Sequence, residues 1–379
     1  MTKDRGATRR QIMAGAAIAG SFAMVNRGMY VVHAASPQQY SRRVVDLVRE
    51  SLIIDMLAPL SLDTRPQAWS GRLSEEQAAE FKASGIGAFH HSEGIVGPNA
   101  YEDSLSYLAA WNGFVARNAG LFTLVDKAGD IEAARSQSRI AVIMGLQSAD
   151  HFRSAADVAK FHALGQRCAQ LTYNTQNLIG SSCNDRVDGG LSDYGVAIVA
   201  AMNAAGMLID ISHCGERTTL DAIAASTLPI ANTHGNCLAL ARHRRNKSDE
   251  VIRALAAKGG IMGISGMRLL VSDTEPTGIA QVVDHIDHAV KLIGAEHVGI
   301  GTDSDLYGYD MMPADQNASM RSTNKAARIA RAKIDTDGYS GPLKMYNLVE
   351  ELVRRGYSDE VIRAILGGNC RRLLSVTWI

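Results

Sequence analysis

The stretch "GMLIDISHCGERTTLDAIAASTLPIANTHGNC", Gly206–Cys237, contains two short apolar runs, Met207–Ile211 and Ile230–Asn232. Each has the length of a strand and stops at polar residues. Between them Thr219–Ala225 carries a helical pattern. Strand, helix and strand in that order make a parallel crossover unit. A histidine follows each strand directly, His213 and then His234. In a closed β/α barrel the C-terminal strand ends converge on one mouth. The two imidazoles therefore have a place to meet.

The same alternation extends in both directions. Further strand candidates are Leu52–Ile54, Ile86–Phe89, Ala141–Leu146, Ala169–Thr172, Ile261–Ile264 and Val298–Gly301. Helical patterns fill the gaps, among them Ser74–Ala83, Leu105–Asn118, Ala155–Leu164, Asp193–Ala205, Asp249–Ala257 and Ile279–Ile293. Eight such units predict an α/β fold, a (β/α)8 TIM-type barrel. No G-x-G-x-x-G follows the first strand, which disfavours an open dinucleotide-binding sheet. The tail "PLKMYNLVEELVRRGYSDEVIRAILGGNCRRLL" predicts two further helices packed on the barrel. Asp303 to Ser340 is far longer than an ordinary connection and is expected to be a lid or binding loop.

Composition limits the alternatives. The chain has 379 residues, 46% hydrophobic and 21% charged, enough for one large core. Lys plus Arg and Asp plus Glu are both 39, so no excess charge points to nucleic acid or an anionic membrane. The N-terminus, "ATRRQIMAGAAIAGSFAMV", places Arg9-Arg10 before an Ala/Gly-rich apolar run that ends at Val25. That run is short for a membrane span, and small residues for cleavage follow near His33–Ala35. The pattern predicts a twin-arginine export signal over residues 1–35, a barrel over 36–379, and a periplasmic or exported protein with no membrane span after cleavage. Five cysteines in no C-x-x-C pattern read as mostly buried free thiols, with a disulfide or two open in an oxidising compartment.

A third strand end, in "HVGIGTDSD", carries Asp303. Two imidazoles and a carboxylate around an open position are the donor set of a hydrolytic zinc site. Any one of them alone is more often structural.

Several segments together resemble the membrane (renal-type) dipeptidases, peptidase family M19. "LTYNTQNLIG" is similar to that family's L-T-H-N segment, and Gly190–Gly215 to its M-N-x-x-G-M-x-x-D-x-S-H run. "PIANTHGNC" with "HRRNKSD", "VGIGTDSDLYG" and "ELVRRGYSDEVIRAILGGNCRRLL" match further segments. The resemblance implies a barrel, a dinuclear zinc site and dipeptide hydrolysis. It maps zinc-binding histidines onto His213 and His234, a strand-end aspartate onto Asp303, and an arginine that grips the substrate carboxylate onto Arg245. A guanidinium fork suits that task.

The departures are as informative. The family's first-strand His-x-Asp falls on Leu57 and Pro59 in "SLIIDMLAPL", and its bridging Glu on Gln147. Its L-T-H-N histidine falls on Tyr173, which can donate a hydrogen bond to an oxyanion but carries no positive charge. Candidates for a substitute ligand or for a supporting contact behind one are Gln147 itself, Asp55 at the end of the first strand, and His90 or His91 in "GIGAFHHSEG". Strand alternation lets only one of that pair face the mouth. His91 is taken as a substrate contact and His151 as a weaker candidate.

These residues predict a mononuclear metallohydrolase acting on a dipeptide or small amide with a free carboxylate, holding one zinc ion or none. His213, His234 and Asp303 would hold the ion, Asp303 and Tyr173 would do the chemistry, and Arg245 would bind substrate. One alternative is a hydrolysis-deficient periplasmic protein that binds or helps mature a small peptide such as a siderophore. Another is a metal-dependent lyase or isomerase with Tyr173 as acid. Homodimerisation is an expectation of the resemblance alone.

Overall fold

The computed structural model describes residues 24–25, 29–32, 38–63, 70–323 and 332–378. The arginine pair and the expected cleavage residues lie outside these. Part of the stretch read as leader is described: Met29–Val31 pairs antiparallel with Met24–Val25 and with Gln39–Ser41.

Eight parallel strands close into a barrel: β1 (Ile53–Asp55), β2 (Ile86–Glu93), β3 (Ile140–Leu146), β4 (Gln166–Gln170), β5 (Leu208–Asp210), β6 (Ala231–Gly235), β7 (Ile261–Ile264) and β8 (Val298–Ile300). Closure is the pairing of β8 with β1, where Ile300 stands opposite Asp55. The eight sequence candidates all become strands, with boundaries shifted by up to four residues. Phe122–Leu124, which the sequence reading passed over, adds a short strand beside the start of β3.

Alternate residues turn inward, as a strand's period of two requires. Ile54, Ala88, Ala141, Ile143, Cys168, Leu208, Ala231 and Ile261 form one apolar cluster with Cys370, Leu373, Leu374 and Trp378 of the final helix, Asn369–Thr377. Asn369 Nδ2 donates to the carbonyls of Ala295 and Val298, at the start of β8. The last helix therefore plugs the barrel at the strand starts, and the polar mouth is left at the strand ends. The opposite strand faces pack against the surrounding helices in the larger cluster.

Helix starts are set locally. Ser74, Ser192 and Ser248 each accept a hydrogen bond from a first-turn amide. Within the expected lid, a 3₁₀ turn at Tyr309–Met311 and a helix at Ala314–Thr323 appear. Asp305 fastens its start by accepting from the amides of Leu62, Tyr307 and Gly308. All five cysteines are free thiols. No described helix is long and apolar enough to cross a membrane.

Candidate metal and substrate site

His213 follows β5 and His234 lies in β6, so neighbouring strands present both rings at the mouth. Their Nε2 atoms face each other at 3.2 Å. His213 Nδ1 donates to Asn174 Oδ1 at 3.0 Å. His234 Nδ1 donates to Thr233 Oγ1 at 2.7 Å, and Thr233 Oγ1 donates in turn to Asp210 Oδ2 at 2.6 Å. With both protons held on Nδ1, both Nε2 atoms carry lone pairs, and two facing lone pairs repel. Burial, reinforced by the Arg245 guanidinium, pushes both imidazoles well below their usual pKa range. Both rings are thereby held as neutral imidazoles, the form that ligates a metal, and the separation of their Nε2 atoms suits one. Zinc sits about 2.0–2.1 Å from an imidazole nitrogen, and two such nitrogens at a near-tetrahedral angle stand a little over 3 Å apart. Carboxylate-backed histidines are the usual support for such an ion.

One clamp is built twice. Asp210, at the end of β5, accepts the Thr233 amide at 3.1 Å and its hydroxyl at 2.6 Å. Asp55, at the end of β1, accepts the Thr302 amide at 2.8 Å and its hydroxyl at 2.6 Å. Each threonine precedes a functional candidate, His234 or Asp303. Lys344 is fully buried against the second clamp, donating to Thr302 Oγ1 at 3.0 Å and to the Asp305 carbonyl at 3.0 Å. Its ammonium lies 3.8 Å from Asp55 Oδ2. Asp55 is thus committed to a closed network that aims the β8 end, rather than free to ligate.

Asp303 is buried and sits at φ 60°, the left-handed region that a non-glycine residue adopts only when its surroundings hold it there. Its amide donates to the Leu57 carbonyl at 2.9 Å. Burial pushes its carboxyl up to about 7; Arg245 opposes that rise, while Asp55 and Asp210 add to it. Arg245 is buried too, with Nη2 donating to the His234 carbonyl at 3.0 Å and Nε to the Ser212 carbonyl at 3.3 Å. Among the described residues its guanidinium has no carboxylate partner. Tyr173 stacks on His213, ring centres 4.4 Å apart, and lies over Gly94, where a Cβ would come within 2.6 Å of the tyrosine ring. Burial and the Asp303 charge push its phenol pKa up.

The histidine tandem in β2 divides as alternation requires. His90 turns inward, its Nδ1 donating to the Met56 carbonyl at 2.8 Å. His91 turns outward between Tyr107 and Trp111, ring centres 5.4 and 4.2 Å away, and its Nδ1 accepts the Leu60 amide. It therefore packs behind the strand rather than at the mouth. His151 is buried outside the site, bonded to Gln166. Gln147 spends its side-chain amide on the Ser92 carbonyl at 3.1 Å. Among the described residues no group of three or more His, Cys, Asp or Glu comes together to hold an ion. Asp303 is thus not grouped with the imidazole pair. A cavity of about 550 Å³ lies alongside, lined by Cys183, His243 and Lys247 among others, and does not include the pair.

The sequence reading missed Asn174, Asp210, Thr233, Thr302 and Lys344. The recurring signal was an aspartate ending one strand and a threonine preceding the candidate on the strand beside it.

Comparison with known proteins agrees with this architecture. The family model for membrane dipeptidases (peptidase family M19) matches residues 42–337. An amidohydrolase from Pseudomonas aeruginosa is similar in structure at TM-score 0.76 and 28% identity, covering 88% of this chain and 99% of that one. The probable dipeptidase PvdM from the same organism reaches TM-score 0.72 at 19% identity over 89% and 99%, a likeness of fold. In sequence, dipeptidase verJ of Clonostachys rogersoniana is 30% identical over 267 residues, 67% of this chain and 62% of that protein. Dipeptidase tcpJ of Claviceps purpurea is 30% identical over 66% and 54%. The matched part of the chain therefore spans only about half to three-fifths of these relatives.

Proposed function

The chain belongs to the membrane dipeptidase family, peptidase family M19, and from that premise we propose that it is a metallohydrolase cleaving a dipeptide or small amide with a free carboxylate, using one zinc ion rather than two. The observation that carries this reading is the approach of the His213 and His234 Nε2 atoms to 3.2 Å, with both Nδ1 atoms bonded to acceptor oxygens. Leu57 and Pro59 offer no metal-binding side chain, and Gln147 brings only a neutral amide, its nitrogen bonded to the Ser92 carbonyl, so a second ion lacks charged holders. A bound zinc supplies a Lewis acid and a water acidified toward neutrality.

The chain's own residues do the rest. Arg245 keeps its Nη1 for the substrate carboxylate, since Nε and Nη2 are bonded to carbonyls. Asp303, with its carboxyl near 7, takes a proton from the attacking water and returns it to the departing amine at neutral pH. Tyr173 remains a neutral phenol and donates a hydrogen bond to the developing oxyanion. Export by the twin-arginine route is part of this proposal, resting on the residues before Val25.

The test is zinc analysis of the purified protein together with hydrolysis of a dipeptide panel, for wild type and for His213→Ala/His234→Ala. One equivalent of zinc, lost in the double variant along with hydrolysis, is expected. Two equivalents overturn the single-ion reading. No zinc, and no loss of hydrolysis in the double variant, sinks the metal. Gln147 and Leu57 favour one other reading, a hydrolysis-deficient peptide binder; calorimetric dipeptide binding without turnover would identify it.

A further inference from the structure

The inward-facing ring of His90 is used neither by the paired imidazoles nor by the proposed chemistry. Strand β2 lies between β1 and β3, paired to both. The His90 ring spans the same interval. Its Nδ1 is bonded to the Met56 carbonyl, one residue before Leu57, and its far side lies on Gly145, two residues before Gln147. A Cβ on Gly145 would stand 1.9 Å from His90 Nε2, 2.8 Å from Cδ2 and 3.0 Å from Cε1. Gly145 is not among the residues of positive φ. Glycine is thus required there by the ring and not by the chain's own conformation. His90 Nε2 is buried with no hydrogen-bond partner. Leu57 is fully buried, yet it belongs to neither apolar cluster. One flank of the mouth is therefore filled by an imidazole and a fully buried leucine.

We propose that the His90 imidazole is a resident filler of the half-site beside the His213–His234 pair, occupying the volume a second divalent cation would need. On this account the loss of ligands at positions 57, 59 and 147 and the presence of the ring are two separate barriers. Restoring the ligands removes only one. The inference rests on the single-ion reading for its setting, but it concerns the increment in ion capacity and not the first ion.

The experiment compares zinc stoichiometry, after equilibrium dialysis of the full chain, in Leu57→His/Pro59→Asp/Gln147→Glu and in the same variant carrying His90→Ala. The ligand-restored chain with His90 in place should bind no more zinc than wild type. Removing His90 in that background should add one equivalent. An extra equivalent in the first variant, or none in the second, overturns the proposal. Two equivalents in wild type would sink both readings. One in wild type and two in the first variant would sink only this one.

A second measurement stands apart from the folding of those multiple variants. His90→Gly leaves a cavity of imidazole shape, and about 10 mM free imidazole should raise its Tm by several degrees, as a ligand bound only to the folded state does. Wild type should show no comparable rise. Equal responses in both proteins overturn the filler role.

Discussion

Replacing Thr233 with valine tests whether the Asp210–Thr233–His234 chain aims the imidazole pair. The shapes are nearly equal, so the change removes one hydroxyl and little volume. That hydroxyl donates to Asp210 Oδ2 at 2.6 Å and accepts from His234 Nδ1 at 2.7 Å. Losing a hydrogen bond to a charged group costs about 1.5–3 kcal/mol, and leaving the buried Nδ1–H unpaired costs about 1–3 kcal/mol more. Asp210 keeps the amides of Ser212 and Thr233 and the Ser212 hydroxyl. The expected destabilisation is therefore about 2.5–6 kcal/mol, which a domain survives over most of the usual stability range of about 5–15 kcal/mol. Support of this kind is also worth about 10–100-fold in metal affinity. Urea unfolding reads the first quantity, and zinc titration by calorimetry on the folded variant reads the second. Thr233→Ser, which keeps the hydroxyl, should recover most of the affinity. If Thr233→Val loses stability while zinc affinity stays within twofold of wild type, the chain is structural and the positioning argument fails.

Asp303→Asn should stabilise the apoprotein, and more at pH 8 than at pH 5. The folded-state pKa, raised from 3.8 to about 7, favours the protonated carboxyl, so stability falls as pH rises from the unfolded value through 7. The full span is worth up to about 4 kcal/mol; chelator-treated protein unfolded at both pH values should show the difference, and a pH-independent effect would refute it. His91, held down to about 3 by burial, contributes stability above its unfolded pKa that is lost as pH falls below it. His91→Gln should therefore resist unfolding at pH 5 better than wild type, by about 2 kcal/mol from 1.5 pH units below the ordinary histidine value, read by acid titration with circular dichroism. Lys344→Met leaves Asp55 as an uncompensated buried charge and should cost about 3–5 kcal/mol, while a Tm unchanged within a degree would show that Asp55 is already neutral. Arg245→Leu should raise KM for a dipeptide with a free C-terminus far more than for its C-terminal amide; equal losses would place Arg245 outside the carboxylate site.

The barrel was legible because its strands are brief apolar runs separated by helix-length gaps, and because a ligand-type residue at a strand end has one place to go. That His213 and His234 meet at the mouth follows from that logic. The β2 histidines could not be assigned, because alternation says that one turns in without saying which. The answer depends on Gly145, some 50 residues away, whose missing Cβ admits the His90 ring. Asp55 could be left only as a candidate ligand or a supporting carboxylate, for a related reason. As a carboxylate at a strand end it looks like a ligand, and its true partner, Thr302, lies 247 residues away, beside it only because β8 closes on β1. Lys344 sits in "PLKMYN", where nothing separates a buried lysine from one on a solvated helix face.

The two aspartate–threonine clamps also bear on whether the mouth is a working site or a remnant. Burying Asp55, Asp210, Arg245 and Lys344 is unfavourable, and well-packed apolar side chains in their places would be as stable or more so. A satisfied buried network contributes geometry more than stability. Here the geometry is specific: one clamp ends at the ring whose Nε2 faces a second Nε2, and the other ends at a carboxylate held in the left-handed region with its pKa near 7. On the opposite flank, Leu57 and Pro59 are apolar, and the one clamp rooted there, at Asp55, runs to Thr302 and so serves the β8 end. If the whole mouth were a remnant, both flanks should be equally free of such constraint. The asymmetry argues for a site in which the β5, β6 and β8 strand ends do chemistry and the β1–β3 side serves as its wall.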